Sequence, residues 1–390
     1  MELTDTQKQA VDCVVRLFDE PDRQVVRLFG AAGTGKTTIA SAAAEKLGNC
    51  TFAAFTGKAA QVLTSKGCPA RTIHSLIYRV LPKSEEHLRR LEARVKHAAA
   101  MVPPAPELYA LERELAAMKA KSSQPRFCLN PDSDIREYSA IILDEVSMIP
   151  GPMADDLMSF GVKILALGDP YQLPPVMGTG YFTQGKADIL LRTVMRQAAD
   201  SPVLKLATLA RESRPIEQGV YEESRVVPKG TLSLDELMGH DQVIVGTNRT
   251  RRTINKLARQ RLGRTTDLPT VGDRLICLKN NRDECLMNGA QFTVLAADQM
   301  CLTLEALDGS GQVETIYDDQ WFLDPDYRGS PWADGNAFDY AYAITCHKAQ
   351  GSEWGSVAIV DESRAFRADA SKWLYTALTR ASERVTLIQT

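Results

Sequence analysis

Short apolar runs separated by helical stretches set the rhythm of the chain. "QVVRLF" (24–29), "TFAAF" (51–55), "AIILD" (140–144) and "VKILALG" (162–168) lie in the first half. "QVIVGT" (242–247), "SVAIV" (356–360) and "RVTLIQ" (384–389) repeat the pattern in the second. A strand that is apolar at consecutive positions is covered on both faces. Such strands alternating with helices predict a parallel sheet wrapped by helices. The fold class read from this pattern is α/β, with one core in each half.

Two segments break the rhythm. In 80–130, Leu88, Leu91, Val95 and Ala98 follow 3-4-3 spacing, and so do Leu108, Leu111, Leu115 and Met118. Each set is one helix face, and "VPPAP" (102–106) between them stops any helix. The segment predicts an inserted antiparallel helical hairpin. In 270–334, "DRLICL", "QFTVLAA", "MCLTLEAL" and "VETIY" are β-rich and separated by turn residues. They predict an inserted small β-barrel of SH3-like size. The expected domains are 1–79 with 131–195, the hairpin 80–130, 196–269 with 335–390, and the β-rich insertion 270–334.

Composition narrows the class. A chain of 390 residues with 44% hydrophobic and 24% charged residues is that of an ordinary soluble globular protein. Net charge is −3, so any nucleic-acid contact must come from local basic groups. The eight cysteines at 13, 50, 68, 128, 277, 285, 301 and 346 form no C-x-x-C pair, which argues against a zinc site or redox dithiol. "MELTDTQKQAVD" has no apolar signal core, and no run reaches the ~18 apolar residues of a membrane span. The expected location is a reducing cytoplasm, with no membrane partner.

"GAAGTGKT", Gly30 to Thr37, fits G-x-x-x-x-G-K-[ST] and sits between a predicted strand and a predicted helix. Gly30, Gly33 and Gly35 let backbone N–H groups close around phosphates, beside Thr34 and Thr38, and the helix N-terminus favours anions. Lys36 would neutralise the β- and γ-phosphates, and Thr37 would ligate Mg²⁺. "IILDEVSM" ends a strand at Asp144-Glu145. Asp144 is placed near Mg²⁺, and Glu145 to polarise the attacking water. Alone, such an acidic pair often only caps a helix. ATP and Mg²⁺ are the cofactors this constellation predicts.

The motifs together resemble a known family. "LTDTQKQAV" (3–11), the P-loop, "TGKAAQVL" (56–63), "TIHSL" (72–76), "LDEVSM", "GDPYQLPPV", "VMRQ" (194–197), "AITCHKAQGSEW" (343–354) and "YTALTRASERV" (375–385) occur in the order of superfamily 1 DNA helicases. The similarity is to the RecD-like and Dda-like branch, superfamily 1B, whose fold is two RecA-like P-loop NTPase cores. It is thin over 80–130. By resemblance Gln172 contacts the γ-phosphate, and a stiff loop between Asp169 and two prolines would release when that phosphate leaves. Arg196 and Arg380 match two arginine fingers, worth ~10³–10⁵ in rate in other NTPases. Gln7 matches the residue that reads the adenine edge, and Glu353 one near the ribose.

Thr56, Lys58, Thr72, His74, His347, Lys348 and Ser352 lie in motifs that line a single-strand channel in that family. The alternative reading of His74 or His347 is a satisfied interior histidine. The basic stretch 248–264 holds seven Lys/Arg and no acid, and reads as either a solvated helix face or a contact.

The expected activity is an ATP-dependent DNA helicase that moves along one strand, 5′ to 3′ by resemblance, and separates duplex DNA. Its expected partners are single-stranded DNA and single/double-strand junctions, with a single-strand binding protein or replication and repair proteins beside them. A monomer in a bacterial or phage-infected cytoplasm is expected. The alternatives are a translocase or remodeller without duplex separation, a subunit of a recombination or repair complex, and a non-catalytic binding module. A nuclease lacks a carboxylate cluster once the ATP site is assigned.

Overall fold

The apolar runs of the first half form one six-stranded parallel sheet in the computed structural model. The structure describes residues 3–80, 93–99, 101, 108–109, 111, 113, 115, 127–175, 180–191, 201–281, 283–298, 300–324, 326–329 and 335–390. The sheet order is Ala70–Thr72, Cys50–Ala54, Ala140–Asp144, Lys163–Gly168, Val25–Gly30 and Ile189–Leu191. Consecutive apolar residues serve opposite faces. Ile142, Leu165 and Leu167 pack with the helices Asp5–Phe18 and Lys36–Leu47. Ile141, Leu143 and Ile164 pack with Ile73–Ile77 and Gly151–Met158. Thr4 starts the first helix through a capping box with Gln7, and Ala10, Val11, Val14 and Phe18 form its buried stripe.

The second half builds a second six-stranded sheet, ordered Ala343–Thr345, Gln242–Val245, Trp354–Asp361, Ala381–Gln389, Ser224–Pro228 and Gly219–Tyr221. Its pairs are parallel except the last, which is antiparallel. The helices Pro202–Arg211 and Ala370–Leu378 bury Leu206, Trp373 and Leu378 on one face, and Ile254 of Asn248–Arg261 joins the other. In a parallel sheet every strand ends on the same edge, so the loops that follow converge there.

The β-rich insertion is a five-stranded antiparallel sheet ordered Gln312–Ile316, Cys301–Ala306, Gln291–Ala297, Arg274–Cys277 and Phe338–Tyr340. The four expected strands are present. The fifth, Phe338–Tyr340, lies past the residue-334 boundary drawn from sequence, because its pairing is with Arg274–Cys277 and not with a sequence neighbour. One parallel bridge, Tyr317 to Asn336, links the two edges.

The insertion at 80–130 leaves and returns through a two-stranded neck, Tyr78–Val80 against Phe127–Leu129. Leu88, Leu91 and Met118 of the expected stripes lie outside the described residues. Those within them pack as expected: Ala98 and Leu111 are buried together, with Val95, Leu108 and Leu115 against them.

Candidate functional site: a nucleotide cleft between two α/β cores

The P-loop takes the shape its glycines permit. Gly33 and Gly35 adopt φ of 75° and 80°, in the left-handed region. At Gly35 a Cβ would also stand 2.7 Å from Nε2 of Gln7. Lys36 Nζ donates to the carbonyls of Gly30 and Ala31 at 2.7 and 3.0 Å, so the ammonium lies across the loop it would serve. Thr34 donates to Ala31 O at 2.9 Å and is buried. Thr37 and Thr38 follow in the first turn of Lys36–Leu47.

The acidic pair sits at the end of the strand Ala140–Asp144. Asp144 Oδ1 accepts the N–H of Glu145 at 2.9 Å. Glu145 itself is held at φ 51°, a conformation that non-glycine residues seldom adopt and that costs on the order of 1 kcal/mol or more. That turn re-aims its carboxylate toward the second core, where Arg380 Nη1 stands 4.0 Å from Oε1. Burial, then the Glu145 charge, pushes the Asp144 carboxyl up to about 6. A bound cation would relieve that pressure. Mg²⁺ is commonly held by one or two carboxylates with substrate phosphates, so Thr37 and Asp144 are a fitting donor set.

Arg380 is 6% exposed. Its guanidinium donates to Thr376 O, Ser352 O and Thr379 Oγ1 at 3.2–3.3 Å. The loop after Lys163–Gly168 meets the same helix. Asp169 is buried, and its carboxylate accepts from Tyr171 N at 3.0 Å and from the Tyr375 hydroxyl at 2.5 Å. The Tyr375 oxygen in turn accepts the Ala32 N–H of the P-loop at 2.9 Å. Leu173 N donates to Thr376 Oγ1 at 2.9 Å, and Gln350 Nε2 donates to Leu173 O at 3.2 Å.

Between these anchors Gln172 is 7% exposed, and its Oε1 is buried with no hydrogen-bond partner among the described residues. A buried amide atom left without a partner costs about 1–3 kcal/mol. Amide oxygen and nitrogen are interchangeable by a flip, so either end of Gln172 can face a ligand. A cavity of about 390 Å³, lined by Ala31, Tyr171, Leu190, Leu191, Arg211 and Glu212, opens beside the P-loop. Lys36, Glu145, Gln172 and Arg380 are thus gathered at one cleft. Arg196 lies outside the described residues. Gln7 is buried, and Oε1 accepts from Thr4 N at 2.9 Å, so half its amide serves the helix cap. Glu353 is 3.9 Å from Lys66.

Of the residues expected to line a DNA channel, Thr56 and Lys58 follow the strand Cys50–Ala54, Thr72 and His74 end and follow Ala70–Thr72, His347 and Lys348 follow Ala343–Thr345, and Ser352 precedes Trp354–Asp361. Thr56 and Thr72 are N-caps that accept from Ala59 N and Ser75 N, both at 3.2 Å. A capping hydroxyl still has its proton to donate. Gly351, at φ 79°, brings the second core onto the first: a Cβ there would stand 3.3 Å from Thr56 Oγ1. His74 lies between the rings of Phe55 and Tyr78, at 6.1 and 5.6 Å. His347 is 5.8 Å from Phe366, and burial lowers its pKa. Ser352 is buried, and its carbonyl serves Arg380.

Lys58 and Lys348 reach the β-rich insertion. Lys58 Nζ pairs with Asp308 at 2.8 Å, and Lys348 Nζ donates to Asn288 Oδ1 at 3.1 Å. Burial lowers the Lys348 pKa. Asp308 and Asn288 had no signal in the sequence, since polar turn residues are common.

Arg251, Arg259, Arg261 and Arg264 of the basic stretch 248–264 make ion pairs within the chain. Arg259 and Arg264 converge on Asp273, which is wholly buried; Arg251 pairs with Asp339, and Arg261 with Asp235. No group of three or more metal-ligating side chains and no helix long and apolar enough to cross a membrane occurs among the described residues.

The chain is similar to known proteins in sequence and in fold. Residues 2–231 match the AAA domain family, and residues 340–388 match the UvrD-like helicase C-terminal domain. The ATP-dependent RecD2 DNA helicase of Deinococcus radiodurans is 26% identical over 404 residues, covering 93% of this chain. The chain spans 46% of that relative's length. In fold, the chain is similar to the Pif1 helicase of Candida albicans, with TM-score 0.54, 16% identity, and 100% and 94% of the two chains covered. It is similar also to a Bacteroides Pif1 helicase in complex with ADP-AlF3 and single-stranded DNA, with TM-score 0.53, 17% identity, and 99% and 92% covered. The chain belongs to the AAA domain family.

Proposed function

We propose that the chain is an ATP-hydrolysing DNA helicase that moves 5′ to 3′ along single-stranded DNA and separates duplex at a junction. The domain frame of this reading is 1–79 with 131–195 as the first RecA-like core, 80–130 as a hairpin, 196–269 with 335–390 as the second core, and an SH3-like insertion at 270–334 that the strand Phe338–Tyr340 joins. The single observation that carries it is the approach of Arg380 to Glu145 across the cleft, 4.0 Å apart. A base and an arginine finger supplied by different cores make hydrolysis depend on closure.

In this reading Lys36 exchanges its two loop carbonyls for phosphate oxygens. Glu145 orients the attacking water, and Arg380, with Arg196, stabilises charge on the transferring group. Mg²⁺ held by Thr37 and Asp144 neutralises phosphate charge when bound. Gln7, Gly30, Gly33, Thr34, Gly35, Thr38 and Glu353 complete the nucleotide site. The unpartnered amide end of Gln172 takes the γ-phosphate, and its loop transmits the loss of that contact. Thr56, Lys58, Thr72, His74, His347, Lys348 and Ser352 face the strand.

The test is ATPase with and without single-stranded DNA, beside strand separation on 5′- and 3′-tailed duplexes. The expected result is stimulated hydrolysis, and unwinding of the 5′-tailed duplex alone. Stimulated hydrolysis without unwinding of either duplex would reduce the reading to a translocase. No hydrolysis would refute it.

A further inference from the structure

Tyr375 belongs to the second core, yet its hydroxyl is spent on the first. It is 2% exposed, on the helix Ala370–Leu378, and its ring carries one proton and one accepting oxygen into the cleft. The proton goes to Asp169 Oδ2 and the oxygen takes the Ala32 N–H. Ala32 is part of the P-loop, and Asp169 opens the loop that carries Gln172. A buried tyrosine needs a partner for its hydroxyl, but any nearby carbonyl would satisfy that need. Here the two partners are a phosphate-loop amide and the base of the Gln172 loop.

The neighbouring residues carry the same seam. Thr376 holds Leu173, on the far side of Gln172, and Gln350 holds it a second time. Arg211 of the second core lies over the Tyr171 ring at 5.3 Å. The Gln172 loop is therefore gripped on both sides by the second core, on a helix that ends just before Arg380.

We propose that Tyr375 is a positioning residue that joins the P-loop, the Gln172 loop and the Arg380 helix, so that nucleotide state and cleft closure change together. Its hydroxyl is committed to Asp169 and the Ala32 N–H, so it serves geometry. It fixes where Arg380 and Gln172 stand when the second core closes. This inference rests on the reading that the cleft hydrolyses ATP.

The test uses Tyr375→Phe, which keeps the ring and removes only the hydroxyl. In the presence of saturating single-stranded DNA, kcat for ATP is expected to fall about tenfold, with KM within twofold and thermal midpoint within a few degrees. Loss confined to kcat marks an interaction needed after binding. Asp169→Asn supplies the second arm. Two donors, Tyr171 N–H and the tyrosine hydroxyl, converge on Asp169, and an asparagine offers only one accepting atom to them. If the pair acts as one unit, the double variant is no slower than the worse single variant. Unchanged kcat in Tyr375→Phe, a rise in KM alone, or additive losses would overturn the proposal while leaving wild-type ATPase as evidence for the parent reading. A wild-type chain without ATPase overturns both.

Discussion

Lys58 and Asp308 are 250 residues apart in sequence and 2.8 Å apart in space. The pair ties the motif helix Gly57–Ser65 of the first core to a turn of the β-rich insertion. The contact is reinforced nearby, where Met287 packs on Gly57 and Asn288 accepts from Lys348. Asp308 thus holds the ammonium that the DNA reading gives to a backbone phosphate. Strand binding must exchange one anion for another.

Replacing Asp308 with asparagine removes that competitor and keeps the oxygen that accepts from Ser310 N. A partly exposed pair is worth about 0.2–1 kcal/mol, so Asp308→Asn should tighten single-stranded DNA binding by up to about fivefold. Lys58→Ala should weaken it and reduce the salt slope by about 0.7. Fluorescence anisotropy across a salt series measures both. Weaker binding by the asparagine variant would show that the pair helps form the channel.

The same pair has a pH signature. Burial pushes the Asp308 carboxyl up, but hydrogen bonds from Lys58 and Ser310 outweigh it and bring the pKa down to about 2. A depressed folded-state value means the pair contributes fully above the unfolded pKa of about 4. Its contribution fades as pH falls through 2. The melting difference between wild type and Asp308→Asn should be constant from pH 7 to about 4 and shrink below. A difference that grew on acidification would reverse the sign and reject the pairing.

Lys36→Ala should abolish ATP hydrolysis, by at least about a hundredfold, while far-UV circular dichroism and the melting midpoint stay near wild type. The ammonium serves two loop carbonyls and no core residue, so the fold does not depend on it. Turnover close to wild type would remove the P-loop from the chemistry.

Gln172→Ala separates function from stability in the opposite way to a core substitution. Its Oε1 is buried without a partner among the described residues, so truncation removes a cost of about 1–3 kcal/mol along with the packing of the side chain. The midpoint should therefore change little. Stimulation of ATPase by single-stranded DNA should fall severalfold, because the γ-phosphate contact is gone. Full stimulation in the variant would show that the amide senses nothing.

What was legible in the sequence had local causes. The long strands were visible because helices cover both faces and leave no polar alternation to confuse them. The P-loop and the acidic pair were visible because phosphate chemistry fixes residue types at short spacing. The short strands Ala70–Thr72, Ile189–Leu191 and Phe338–Tyr340 were not, since three residues carry no period and their pairing is non-local. Tyr375 stood inside a quoted motif, but nothing along the chain tied it to Asp169, 206 positions away. The ion pairs made by the basic stretch 248–264 were hidden for the same reason. Its acidic partners Asp235, Asp273 and Asp339 lie outside it.

The insertion at 80–130, expected from its sequence to be a helical hairpin, offers the last prediction, because the neck shows how to remove it. Tyr78 pairs with Leu129 and Val80 with Phe127, so the chain leaves and returns on adjacent strands. Asn130 N also donates to Ile77 O at 2.8 Å, which anchors the return to the first core. Beyond the neck, Ala98 and Leu111 bury each other's surroundings with Val95, Leu108 and Leu115. A pair of stripes that satisfy each other needs no support from the core. The neck follows the helix that carries His74, at the edge where the DNA reading places the strand. A projection there can act as a wedge against a fork. Separating DNA costs on the order of 1–2 kcal/mol per base-pair step, so an obstacle that is merely rigid suffices when hydrolysis drives the strand past it. Replacing residues 85–122 with a short Gly/Ser linker should therefore leave DNA-stimulated ATPase within about twofold and reduce unwinding of tailed duplexes at least tenfold. Translocation on single strands, read by displacement of an end-bound protein, should persist. Unwinding at the wild-type rate would reject the wedge, and joint loss of ATPase and folding would make the hairpin a brace.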